Sequence, residues 1–503
     1  MPDRRPRRLA APVLASMIVA TLSASALFPS RLSAQAGLGQ LEDATLAPKG
    51  LLRLRAMSAW TRYDSRFGAS GAEPLGASFT ADSLGPRQMA ALSAIESRVQ
   101  SAGAIPSFTL SLGRSRLDAT AREEVLPFAL EYGVSRRFAV GVVVPIVRKR
   151  AAMLFRLDTA GGFGANVGPN RHRTDAAAEQ VNALVQSEFA NAASQLQTRL
   201  DACLADPAAP GCATIIAEAP ALIQSSQSFA STVAELYGSL TSAGMAFVPT
   251  TQSAAQLAIA ARVADFNTRY RALLGASADV IQAVPVGAGG PAGPSEFHNF
   301  LVEDLGRDSL TLQERVGIGD VEIGFKFLVL DRPRTERRRA GIQLAVAGGV
   351  RLPTGSRQSP IGVTDLRLGD GSLVVDSRAA LDARAGRFGL LAVGQFATSV
   401  HDVDTTNIST RNSRWTEVHL SPRWHLSEPF AVHGAFSLRT SDKLGGDQLV
   451  GGGVSYSNLA RYAGGRSMPM EMRFMHLEAI SGDAGRPKFF REQIEVRIYY
   501  RLR

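Results

Sequence analysis

Between Leu126 and Val147 the chain alternates apolar with smaller or polar residues twice over. Leu126, Phe128, Leu130 and Tyr132 take every second place, Gly133 to Arg137 interrupts, and Phe138, Val140, Val142, Val144 and Ile146 resume the rhythm. A period of two belongs to an extended strand, whose successive side chains point to opposite faces, so the stretch predicts a β-hairpin with one uniformly apolar face. The other face of its second strand holds Ala139, Gly141, Val143 and Pro145, too small to build one side of a thick core. Such a hairpin fits a wall with an apolar outside and a modest inside.

The same alternation recurs along most of the chain. From Gly50, Leu52, Leu54, Ala56 and Trp60 alternate with Arg53 and Arg55, which predicts a first strand. Residues 64–112 read as a long loop with a short helix around Gln88 to Gln100, and a second strand runs from near Arg116 to Tyr132. Phe138 to Val147 is the third. The pattern resumes at Gly317, with Val321, Ile323, Phe325, Phe327 and Val329 on one face, and its partner strand is marked by Ile342, Leu344, Val346, Val350 and Leu352 after a turn over Asp331 to Arg339. Six further segments follow: Leu373 to Ala383, Phe388 to Val400, Trp415 to Leu426, Phe430 to Arg439, Gln448 to Tyr456 and Met470 to Leu477. Gln493 to Arg503 is the last. The expectation is an all-β transmembrane barrel of about twelve antiparallel strands, both ends on one side, with short turns there and long loops opposite.

One segment breaks the rhythm. From Thr174 to about Ala283 apolar residues recur every three or four places in stretches rich in Ala, Gln and Leu, which predicts three helices inserted between the third and fourth strands, on the outer side. Cys203 and Cys212 are the chain's two cysteines, and they flank the loop joining the first two helices. In an oxidising compartment such a pair is expected to close a disulfide, and no further ligands nearby suggest a metal. The glycine-rich run GAGGPAGP from Gly287 lacks the strand and helix a phosphate cradle needs, and reads as a linker.

Charge and leader fix the compartment. Arg4, Arg5, Arg7 and Arg8 precede an apolar run from Leu9 to Phe28, and Ala34-Gln35-Ala36 offers a small-residue cleavage site, so residues 1–36 read as a secretory signal peptide and 37–503 as the barrel domain, with 174–283 its helical insertion. Beyond that leader no apolar window is long enough for a transmembrane helix, and mean hydropathy is +0.01, as strands with every second residue polar would give. The formal charge of +10 falls to about +6 once the five Arg and one Asp of residues 1–36 are set aside. The remaining arginines are scattered singly, which argues against nucleic acid and suits contact with anionic lipid headgroups at barrel rims.

On the polar parity of the strands lie the expected lumen-lining residues: Asp320, Glu322, Lys326, Gln343, Arg351, Glu417, His419, Arg423, His433, Arg439, Glu471, Arg473, Glu495 and Arg497. Asp320 with Glu322 resembles a catalytic carboxylate pair, but beside Lys326 and arginines of other strands it reads as part of a solvated charge ladder. His419-Leu420-Ser421 invites comparison with an outer-membrane phospholipase, with Asn412 as third member. Its parity is that of Glu417 and Arg423, however, which turns it away from lipid. No G-x-S-x-G, H-E-x-x-H or P-loop is present. No enzyme activity, metal or cofactor is expected.

Two stretches, FALEYGVSRRFAVGVVVPIV and GIGDVEIGFKFLVL through AGGVRLPTGS, resemble a family of outer-membrane proteins associated with the MetA pathway of phenol degradation. The resemblance implies a barrel in the cell outer membrane that passes small hydrophobic or aromatic solutes, and it brings no catalytic residues. The helical insertion is not part of it. The last strand is similar to the assembly signals read by the barrel-assembly machinery, except that the chain finishes Leu502-Arg503 where those signals have an aromatic residue. The rival expectations are a structural or adhesive barrel whose insertion binds a partner, the phospholipase-like hydrolase, and a soluble secreted β-protein.

Overall fold

The computed structural model describes residues 42–159, 164–307, 309–332, 340–356, 366–369, 371–402, 414–442, 445–459 and 469–501. The expected leader at residues 1–36, Asn412 and the terminal Leu502-Arg503 lie outside them. The described chain falls into a strand unit, comprising the described residues of 42–76, 118–154 and 310–501, and a helical unit, those of 77–117 and 155–309.

In the strand unit the period of two becomes a closed antiparallel barrel of twelve strands. They are β1 (Leu51–Gly68), β2 (Arg114–Gly133), β3 (Phe138–Asp158), β4 (Glu322–Arg332), β5 (Ala340–Arg351), β6 (Ser372–Ala385), β7 (Phe388–Asp402), β8 (Arg414–His425), β9 (Phe430–Ser441), β10 (Gly445–Ser457), β11 (Met470–Gly482) and β12 (Pro487–Arg501). Each strand pairs with its neighbour in sequence, and β12 returns to β1 in a register running from Leu51 opposite Arg501 to Arg66 opposite Pro487. Closure leaves no unpaired edge, which is what allows a sheet to sit in hydrocarbon. The alternation sorts side chains as a barrel wall requires: Phe325 and Phe327 are 51% and 41% exposed, whereas Lys326 between them is 6% exposed. No described helix is long and apolar enough to cross a membrane. Any crossing would be by strands.

The strand expected from Gly317 to Leu330 is interrupted. Gln313–Ile318 pairs with β3 from Ile146 to Ala151, β4 pairs with β3 from Phe138 to Val143, and Gly319, Asp320 and Val321 between them leave the ladder. The segment that follows β5 takes up the released groups. Thr354 Oγ1 donates to the Gly319 carbonyl (3.0 Å) and accepts from the Val321 N–H (2.9 Å), while Asp320 Oδ1 accepts from the Gly355 N–H (2.8 Å). A Cβ on Gly369 would lie 2.2 Å from Asp320 Oδ1, so only glycine permits that approach.

The helical unit has a core of its own. It holds α1 (Ser93–Gly103), α2 (Ala176–Ala205), α3 (Cys212–Tyr237), α4 (Ala254–Leu274) and the short α5 (Pro294–Asn299). Helix starts are capped in the ordinary way: Asp175 accepts from the Ala177 N–H and Ser253 from the Gln256 N–H. Phe189, Phe229 and Phe266, one from each long helix, meet at 5.2–5.7 Å between ring centroids. Cys203 and Cys212 are disulfide-bonded across the α2–α3 loop. Two fully buried amides here are bonded: Asn182 donates to the Tyr237 carbonyl and accepts from the Val286 N–H, and Gln256 receives the Tyr237 hydroxyl.

Candidate functional site in the barrel lumen

The inward parity of the barrel carries an unusual load of ionisable side chains, and a segment outside the barrel strands joins them. Residues 42–48 precede β1 in the strand unit; Glu42, Asp43, Ala44 and Ala47 are buried and Thr45 and Leu46 half-buried. Ala44 packs with Leu328, Ala345, Ala380, Leu391 and Val393, all inward residues of β4 to β7, and Leu46 lies against the same cluster. Just before this apolar contact the segment is fixed by charge. Glu42 Oε1 accepts from Lys326 Nζ at 2.6 Å, with Arg55 and Arg378 at 3.7 and 3.8 Å from Oε2. Asp43 pairs tightly with Arg497 and lies 3.9 Å from Lys326 and 3.5 Å from Arg473. Burial pushes the Glu42 carboxyl up. Lys326, Arg55 and Arg378 outweigh that and hold it well below the usual carboxylate range. Asp43 is depressed likewise, burial being outweighed by Arg497, Lys326 and Arg473.

The expected lumen-lining residues are placed as follows. Glu322 pairs with Arg378 and stands opposite Arg351 in register. Glu417 stands opposite Arg439 and accepts from the Ser437 hydroxyl at 3.3 Å. Glu495 takes Arg497 Nε and Arg55, each at 2.8 Å, and Glu471 accepts the Tyr499 hydroxyl at 2.7 Å. Arg423 donates to Asp382 at 2.8 Å. Gln343 is near the rim and donates to Asp331. Asp320 sits in the strand interruption and spends its carboxylate on backbone, away from the ladder that parity assigned to it. Arg351 and Arg439 each bring a guanidinium to 5.9 Å from the Trp415 ring, an arginine–indole–arginine group on the inward face. Sequence reasoning did not single out Arg53, Arg55, Arg378, Glu131, Asp382 or the 42–48 segment. The inward parity of Arg53 and Arg55, alternating with Leu52 and Leu54, was the signal available for the first two.

His419 and Ser421 do not bond each other. His419 Nδ1 meets Ser437 at 3.3 Å, Ser421 meets His433 Nδ1 at 3.4 Å, and His433 Nε2 meets Ser455 at 2.6 Å. The nearest approach to a nucleophile–base pair is therefore Ser455–His433, and the group orienting its base is a hydroxyl, not a carboxylate. These side chains form hydrogen-bonded rungs across β8, β9 and β10.

At the end of the lumen marked by the short β6–β7 and β8–β9 turns lies a cavity of about 330 Å³, lined by Arg384, Arg423, His433, Ser455, Arg473 and Asp43 among others. No group of three or more metal-ligating side chains occurs among the described residues.

No protein-family model and no curated protein matches the sequence. Among solved structures, the chain is similar to an outer-membrane channel from Pseudomonas putida F1, at 10% identity and a TM-score of 0.36, over 91% of this chain and 98% of that one. It is similar at 9% identity and a TM-score of 0.27 to the Ralstonia pickettii toluene transporter TbuX, over 92% and 93%. The translocator domain of the autotransporter NalP from Neisseria meningitidis stands at 5% and 0.28, over 90% and 88%. The fold rests on the strand register described above.

Proposed function

We propose that this protein is an outer-membrane channel for the passive uptake of small hydrophobic or aromatic solutes. The observation that carries it is the closed twelve-stranded wall with apolar residues outside and charged, hydrogen-bonded residues inside. A barrel of this size is wider than side-chain-filled eight-stranded ones and narrower than open porins, so lumen side chains and residues 42–48 would govern passage. The resemblance to the phenol-degradation family supports aromatic solutes. Export through a cleaved leader, insertion by the barrel-assembly machinery and contact of the apolar outer face with membrane lipid belong to the same reading.

Liposome swelling with the refolded protein tests it, comparing small sugars with toluene-sized aromatics, for the whole chain and for a chain lacking residues 174–283. Faster swelling with aromatics supports the channel. A folded barrel that admits nothing in either form sinks it. The rival reading, a structural barrel whose helical unit binds a partner, is favoured by one observation: residues 42–48 already occupy the lumen with buried ion pairs.

A further inference from the structure

We propose that an apolar groove on the outer wall of β1 to β6, with Lys49, Arg136 and Arg137 at its mouth, holds one anionic phospholipid of the surrounding leaflet. This deepens the outer-membrane reading by naming a lipid partner and the place where it sits. It rests on the barrel lying in a bilayer, and not on transport.

The groove follows from missing side chains. Gly324 stands opposite both Gly141 of β3 and Gly349 of β5, and the outward position between Val346 and Val350 is Gly348. A Cβ on Gly348 would come within 2.9 Å of the Phe325 ring, so that ring leans across the place a side chain would take. The depression, of about 910 Å³, runs from Leu52, Tyr132 and Phe138 to Val350 and Val375. Asp376 at its far end is committed to Arg378 at 2.9 Å. At the end nearest the short β2–β3 turn the groove meets charge. Phe138 follows Arg137 directly, and Lys49 is bridged to Gly133 on the other side of the turn. Residues 48–52 and 133–138 together hold three cations and no carboxylate. Lys49, Arg136 and Arg137 are exposed and have no ion-pair partner among the described residues. The nearby carboxylates are engaged: Glu131 pairs with Arg53 and accepts from the Ala47 N–H, and Asp331 accepts from Gln343 at 3.0 Å. Aromatic side chains mark this level as the edge of the hydrocarbon, Tyr132 and Phe138 here and Phe388 against Trp424 further along the same rim. Unpaired guanidinium and ammonium groups above an apolar groove match a phosphate diester above its acyl chains. A second copy of the chain is the poorer occupant, because a two-fold contact through this face would bring the same cations together. A zwitterionic lipid fills the groove but brings the cations no net counter-charge.

The test is native mass spectrometry of the full chain, refolded in a maltoside detergent and incubated with dioleoyl phosphatidylglycerol, dioleoyl phosphatidylcholine or glycerol 3-phosphate. One phosphatidylglycerol per chain is expected to stay bound, at about tenfold lower concentration than phosphatidylcholine, the usual worth of a charged hydrogen bond. Glycerol 3-phosphate, which has the charge without the chains, should bind more weakly than either lipid. Joint replacement by Lys49→Gln, Arg136→Gln and Arg137→Gln should bring phosphatidylglycerol down to the phosphatidylcholine level. Arg387→Gln, on the β6–β7 turn, should leave the preference as it is, and Val140→Trp, which fills the groove, should weaken both lipids. Equal retention of the two lipids overturns the proposal. So does a triple variant that keeps the preference, a Val140→Trp protein that binds both lipids as before, glycerol 3-phosphate that binds as tightly as the lipid, or a lipid-free dimer in place of the adduct. Should the triple variant not fold, the lipid comparison on the unaltered chain decides alone. The two readings fail separately: a chain that stays monodisperse without detergent defeats the membrane placement, and a detergent-dependent chain without lipid preference defeats this site only.

Discussion

Glu42 is the residue on which the N-terminal segment turns, because three cations of three different strands converge on one carboxylate. Replacing it, Glu42→Gln, leaves buried cations short of a counter-charge and should cost about 3 kcal/mol, the penalty for breaking a buried pair rather than exchanging it for apolar residues. Denaturant unfolding in detergent measures it. Dependence on pH follows from the depressed carboxyls of Glu42 and Asp43. A group whose folded pKa lies below its unfolded value stabilises the fold above the unfolded value, about 4, and loses that contribution as pH falls through the folded one. Limited proteolysis of residues 42–48 should therefore find them protected at pH 5 and released only in stronger acid; release complete by pH 5 would refute the pairing. Nothing in the sequence around Leu41-Glu42-Asp43 signals this role, because its partners lie from Arg53 to Arg497. Asp320 failed in the opposite sense. Its parity named a ladder residue, whereas the Gly355 N–H, brought in by the turn after β5, claims its carboxylate. Gly369→Ala should accordingly displace Asp320 and destabilise the barrel by about 1–3 kcal/mol, readable in the same unfolding experiment.

At the scale of elements, the barrel strands were legible because a pleated strand facing lipid on one side and a polar interior on the other must repeat every two residues. The expected ends fall within a few residues of the observed ones for β1, β6 and β9, while β3 runs on to Asp158, past the point at Val147 where its apolar alternation fades. The interruption at Gly319 to Val321 does leave a trace in the sequence: Val316 and Ile318 face outward on even positions before it, and Ile323, Phe325 and Phe327 on odd positions after it, a slip of phase that a strand read from Gly317 passes over. The helices were visible through their period, and the disulfide through the short spacing of the only two cysteines. Cys203→Ser should cost the helical unit about 3 kcal/mol, given the small loop the bond closes. Melting followed by circular dichroism at 222 nm, with and without reductant, should show an early helical transition in both the variant and the reduced protein.

At the scale of the whole molecule, the test of a closed cylinder is its resistance to detergent. The unboiled protein should migrate faster than the boiled one on a denaturing gel, and removal of residues 487–501 should abolish the fast band, because β12 is the partner of both β11 and β1. That pairing also sets a timetable. Leu51 lies opposite Arg501, so the strand made first has no partner on that flank until the strand made last arrives. Every other pairing in the wall joins strands consecutive along the cylinder, and each can zip onto its predecessor. The seam is the one strand pairing among the described residues that spans nearly the full chain, and the entropy of closing so long a loop falls on that step. Through all of synthesis, with α2 to α5 already emerged between β3 and β4, β1 offers an unsatisfied edge to any passing strand. Protection of that edge in transit is thus a demand that the finished wall imposes on its own biogenesis.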